Sequence, residues 1–162
     1  MSESTGHDPE ELESDALLYF LNKMRDAVVR TSEGLTSEQQ RTAGVPSGTN
    51  LLGLIQHLTG YEEHWFQRVY LAEDHDIETS MMVPADTTRA EVLAAYRRAC
   101  ARSDEIVRAS PGLSTLAKGT NPGEEGRKAS LRRIVAHMIE ETARHAGHAD
   151  ILREQIDGAT GL

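Results

Sequence analysis

A chain of 162 residues with 26 acidic against 17 basic side chains carries a formal net charge of −9. That balance argues against nucleic acid and against anionic membrane surfaces, both of which are held through basic clusters. The one cysteine, Cys100, rules out an internal disulfide, and a reducing cytoplasm is the expected setting.

The start, MSESTGHDPEELESD, lacks the basic and apolar regions of a secretory signal, and no stretch is apolar for long enough to span a bilayer. The length suits one soluble intracellular domain over 1–162, with Met1 to His7 as a solvated lead-in. A first helix is expected to begin at Asp8 and Pro9, a natural cap and first-turn pair. It carries Leu17, Phe20, Leu21, Met24, Ala27 and Val28 at helical spacing until Gly34. Ser37 to Asn50 reads as a linker because of Gly44, Pro46, Gly48 and its small polar residues. Asn50 or Thr49 caps a second helix whose apolar side is Leu51, Leu54, Ile55, Leu58, Trp65 and Val69, with His57 on the edge of that side.

The segment AEDHDIETSMMVPADTT breaks the pattern, and Thr88 or Thr87 caps a third helix holding Val92, Leu93, Tyr96, Ala99, Ile106 and Val107. Pro111 and Gly112 stop it, and Gly112 to Arg127 forms a long loop of the kind that is either functional or mobile. The fourth helix, Leu131 to Ile156, buries Leu131, Ile134, Val135, Met138, Leu152 and Ile156, and Gly158 ends it. Four amphipathic helices without a strand pattern predict an all-α four-helix bundle with long connections.

At about 100° per residue, Glu141, His145 and His148 share the arc of the apolar residues of the fourth helix. An unpartnered carboxylate or imidazole in a core costs several kcal/mol, so something must compensate them. Two readings compete. Each group is satisfied by hydrogen bonds, or Glu141 and His145, four apart, grip one divalent ion with His57 reaching across from the second helix. Three protein ligands with an open position match catalytic zinc sites rather than closed structural ones. A diiron centre is disfavoured because the predicted helices carry no Glu-x-x-His pair beside Glu62-Glu63 and Glu140-Glu141. Cys100, Trp65 and Tyr61 read as packing residues, His64 as an exposed polar residue that, one turn beyond Tyr61, could also reach the pocket, and His137 as a boundary residue. His7 and His75 fall in expected loops.

Asn50-Leu51-Leu52 through His57-Leu58, then Trp65, then HMIEETARHAGHADILRE closing on Ile156-Asp157-Gly158, resembles the DinB-like superfamily of metal-binding four-helix bundles, in its actinobacterial branch. In that superfamily one histidine of the second helix and two residues four apart on the fourth hold the metal, which carry over as His57, Glu141 and His145. Many members have histidine in place of Glu141, and the glutamate resembles the mycothiol-dependent maleylpyruvate isomerase branch. His148 stands where many relatives carry glutamine, and it is expected to line the pocket and move a proton.

The resemblance implies a divalent metal, zinc or nickel, and a small-molecule substrate. The implied activity is that of a transferase or isomerase using a low-molecular-weight thiol such as mycothiol, with a homodimer as the assembly. The exposed apolar residues expected at Met81, Met82 and Val83 point to the same dimer. Two other functions remain open at this level: a metal-dependent hydrolase, and a non-catalytic metal- or ligand-binding stress protein.

Overall fold

The computed structural model describes residues 9–74, 76–124 and 126–161. The expectations placed on Met1 to Asp8 and on His75 lie outside those residues. The chain is all-helical: α1 (Pro9–Thr31), α2 (Ser37–Arg41), α3 (Leu51–Glu62) running directly into a π-helix (Glu63–Tyr70), α4 (Arg89–Ala109) and α5 (Leu131–Asp157). The one β feature among the described residues is an isolated antiparallel bridge between Leu116 and Ser130. No helix among these residues is long and apolar enough to cross a membrane.

Local signals explain the helix ends. Asn50 Oδ1 accepts from Gly53 N at 2.9 Å to start α3. Thr88 starts α4 with a reciprocal bond to Glu91, and Gly158, at φ 80°, ends α5 in the left-handed conformation.

Two expectations need correction. The linker from Ser37 to Asn50 contains α2, because Thr36 caps it reciprocally with Gln39 and the buried Gln40 donates to the Ser32 and Leu35 carbonyls, both at 3.0 Å. The second long helix is not α-helical throughout. Beyond Glu62 it widens into π turns that keep Phe66, Val69 and Tyr70 buried, a change of pitch that apolar spacing over so few residues does not reveal.

Helix α5 packs on α1 and on α3, and α3 packs on α4. One apolar cluster joins α1, the π-helix, α4 and α5 around Leu21, Phe66, Ile134 and Met138. A second joins Val28, Leu52, Ile55, Leu58 and Tyr96. The loop after α4 is pinned rather than loose: Lys118 N and Gly119 N donate to the Tyr70 and Val69 carbonyls at the end of the π-helix, at 2.8 and 2.9 Å. Met81 and Val83 lie partly buried against the core, and only Met82 of that trio stays exposed. The apolar patch expected to support a dimer is therefore largely covered by the chain itself.

Among these helices lies a buried ion cluster. Arg25 of α1 donates to Glu62 through Nε and Nη2 at 2.8 and 2.7 Å, and through Nη1 to Asp104 at 2.7 Å and Asn22 at 2.8 Å. Burial opposes the charge on Arg25, but Glu62 and Asp104 outweigh it and hold its pKa above the usual range. Replacing Arg25 by Met strands a carboxylate of zero exposure. The expected loss is about 3–5 kcal/mol in urea unfolding, with much of it recovered when Glu62→Leu is added. A single-variant loss below about 1 kcal/mol would show that the cluster does not hold these helices together.

Candidate metal centre

The buried face of α5 runs Leu131, Ile134, Val135, Met138, Glu141, Thr142, His145, Ala149 and Leu152. Glu141 and His145 are 4% and 7% exposed. His148 is not in that face: it is exposed, because it falls beyond Glu141 at the rim of the arc, whose centre is taken by Met138 and Ala149. It still touches the cluster, with its Nδ1 3.3 Å from His145 Nδ1.

His57 of α3 faces α5, and its ring centroid lies 5.0 Å from that of His145. Its Nδ1 is 2.6 Å from the carbonyl oxygen of Thr79. A carbonyl can only accept, so Nδ1 carries a hydrogen, and in the neutral ring Nε2 keeps its lone pair.

The Thr79 carbonyl comes this close because the segment Glu78–Met82 lies directly on α3. A Cβ on Gly60 would collide with the Glu78 carbonyl, and one on Gly53 with the Met81 carbonyl. Between the two glycines Gln56 Nε2 donates to the Ser80 and Met82 carbonyls at 3.2 and 2.8 Å. Gly53, Gln56, His57 and Gly60 form one stripe of the helix, and the segment follows it.

Glu141 is shared between two kinds of partner. Its Oε2 accepts from Arg144 Nη1 at 2.7 Å. Its Oε1 lies 3.0 Å from His145 Nε2 and 3.6 Å from His57 Nε2. In the neutral ring the lone pair of His57 thus points at a carboxylate oxygen, an arrangement that is repulsive unless a proton or a metal cation stands between them. Burial, followed by the neighbouring His57 and His148, pushes the His145 pKa below the ordinary histidine value against the opposing pull of Glu141. Neutral imidazoles and an ionised carboxylate are the protonation states a metal takes. One donor atom from each of His57, Glu141 and His145 lies within 4.8 Å of the others, so the set fits a single divalent ion.

Three contributors were not identified from sequence. Arg144, on the exposed side of its helix, clamps Glu141 from three residues away, a spacing that could have signalled it. The Thr79 carbonyl had no signal, being a backbone atom 22 residues from His57. Thr142 is fully buried beside Glu141, with its hydroxyl unpaired among the described residues.

Of the other candidates, Glu62 belongs to the Arg25 cluster, away from this site. His137 is half-buried, as a boundary residue should be. His64 is half-buried rather than exposed, held by Asn121 Oδ1 at 2.9 Å. Cys100 lies partly buried beside the second apolar cluster.

The close approach over Gly60 is directly testable. Gly60→Ala should destabilise the fold by about 1–3 kcal/mol, because the carbonyls must retreat. Gly147→Ala, on an exposed stretch of α5 where a Cβ meets nothing, should instead stabilise it by about 0.5–1 kcal/mol. Denaturant unfolding of the two variants separates close approach from helix propensity, and equal responses would refute the contact.

A family model described as mycothiol-S-transferase matches residues 16–158, a span that holds all three metal-centre residues. No curated protein matches the chain.

Proposed function

This chain belongs to the mycothiol S-transferase family, and from that premise we propose that it is a divalent-metal-dependent enzyme transferring a low-molecular-weight thiol. The observation that carries the reading is the convergence of the donor set. The Thr79 carbonyl engages His57 Nδ1 and leaves Nε2 turned to Glu141, burial lowers the His145 pKa, and both rings converge on the buried Glu141.

In this reading His57, Glu141 and His145 hold the ion, leaving a coordination position for a small molecule. Arg144 fixes which oxygen of Glu141 is offered, and the Thr79 carbonyl fixes the His57 ring; such outer contacts set ligand orientation in metal sites. A divalent ion held by this set supplies the charge that lowers a thiol's pKa from about 8.5 toward neutrality. His148, exposed and in contact with His145, is the group proposed to carry the thiol's proton to solvent. The thiolate sulfur would then form a bond to an electrophilic carbon of the substrate as that carbon's bond to a leaving group breaks, the leaving group departing with the electron pair.

Purified protein should hold about one zinc or nickel per chain. His57→Ala and His145→Ala should each reduce that content sharply, and unchanged content in both would refute the ligand assignment. The cobalt-substituted protein should develop a sulfur-to-metal charge-transfer band on addition of mycothiol. No band with any thiol, together with a hydrolytic activity, would favour water as the nucleophile.

Protons compete with the metal for both rings, whose unperturbed pKa is about 6.5. His145 is shifted below its ordinary value, so affinity should hold through neutral pH and fall as pH drops through roughly 6. A competition titration against a chelator at several pH values measures this. Affinity that rises on acidification would contradict histidine ligation.

A further inference from the structure

Away from the metal centre, a concavity of about 630 Å³ opens where the end of the π-helix, the second half of α4 and the loop after α4 meet. Leu71 lines it from the helix end, Ile106 and Ala109 from α4, and Pro111 and Leu116 from the loop. His57, Glu141 and His145 are not among its lining residues. Tyr70, at its edge, follows His57 along one continuous helix by thirteen residues, roughly 15–20 Å of rise. Sites for small molecules are of this size, mostly apolar, with a few placed polar groups.

The loop wall is fixed in advance. Lys118 N donates to the Tyr70 carbonyl and Ala117 N to the Ala129 carbonyl, both at 2.8 Å, and Leu131 N donates to the Thr115 carbonyl at 2.9 Å. Leu116 itself pairs with Ser130 in the isolated bridge. Along this extended segment Ala117 turns into the core, so Leu116 turns outward and stays 58% exposed. A large apolar side chain is thereby held at the rim of a concavity whose floor includes the buried Ile106.

The polar groups of the wall differ in what they have left to offer. Ser110 Oγ donates to the Gly112 carbonyl at 3.1 Å and accepts from the Tyr70 hydroxyl at 2.6 Å, so both hydroxyl hydrogens are used within the chain. Arg102 lies 3.3 Å from Glu73 and 3.5 Å from Glu105, which share its charge. The Lys118 ammonium lines the same concavity and makes no ion pair among the described residues.

These features select one kind of ligand. A cation would meet Lys118 and Arg102. A phosphate or other multiply charged group would face the C-terminal ends of α4 and the π-helix, where backbone carbonyls carry partial negative charge. A single carboxylate matches the one ammonium, and an apolar body matches Leu71, Ile106 and Leu116.

We propose that this concavity is a second small-molecule site, separate from the metal centre, for a monocarboxylate with an apolar body. Lys118 meets the carboxylate and Leu116 covers the apolar part. The site goes beyond the thiol-transfer reading and stands or falls independently of it.

The test uses zinc-loaded, nitrogen-15-labelled protein titrated with octanoate, octanol and octylammonium while amide spectra are recorded. Octanoate should shift the amides of Leu71, Ile106 and Leu116 saturably and bind about threefold or more tightly than octanol, with octylammonium weakest. 2-Naphthoate in parallel tells an aryl body from an alkyl one, and saturable binding of either carboxylate at these amides supports the site. Lys118→Met should remove the advantage of octanoate over octanol, and Leu116→Ser should weaken both by about fivefold. Both positions are exposed, so fold and zinc content should be unchanged. A carboxylate can also ligate zinc, and the shifts should therefore persist in His145→Ala. Shifts confined to the surroundings of Glu141, or lost in His145→Ala, would assign the ligand to the metal and overturn the site. Equal binding of all three octyl probes, shifts spread over exposed positions such as Phe20 and Met82, or no saturable shift with either carboxylate would overturn it as well.

Discussion

A guanidinium removed from water must be met by carboxylates, and the way Arg25 is met fixes the rotation of α3. Glu62 accepts two bonds from it while Asp104 and Asn22 close the remaining side. His57 precedes Glu62 by five residues, roughly 140° around an α-helix. With Glu62 turned toward Arg25, His57 has to face α5. Rolling α3 to turn His57 away from α5 would break the bidentate pair and strand a buried charge, so the orientation of this candidate ligand is secured by an interaction on the far side of its helix.

The two buried carboxylates illustrate different solutions to one problem. Glu62 is balanced by a guanidinium within its own cluster and has zero exposure. Glu141 receives Arg144 on one oxygen only, and that arginine is divided between Glu141 and Glu140. The other oxygen faces two imidazole nitrogens, one of them fixed as a lone pair by the Thr79 carbonyl. That oxygen has room for a cation beside the two rings, whereas Glu62 already has its counter-charge in Arg25.

What was legible in the sequence follows from how local each signal is. Caps such as Asn50 and Thr88, the terminating Gly158 and the i,i+4 pair Glu141 and His145 act within a turn or two of helix, and a one-dimensional reading captures them. The all-α fold and the family followed from such local patterns. The Arg25 cluster spans residues 22–104 and the Thr79 contact joins backbone to side chain across 22 residues, and neither leaves a periodic trace. The outward turn of His148 escaped because the rim of an arc cannot be told from its inside without knowing which helices flank it. The π-helix escaped because Phe66, Val69 and Tyr70 keep the three- and four-residue spacing of an α-helix over a span too short to distinguish its pitch.

The chain's own sulfur adds a last constraint. Cys100 is partly buried, and burial, then the Glu62 carboxylate, pushes its thiol pKa far above the ordinary value despite the opposing charge of Arg25. It lies on α4 beside the cluster that holds Val28 and Tyr96, on the side of α3 turned away from His57. A thiol kept protonated is a poor nucleophile. Sulfur chemistry at the groove between α3 and α5 therefore cannot draw on Cys100, and a thiol reaching Glu141 and the two histidines has to arrive from solution.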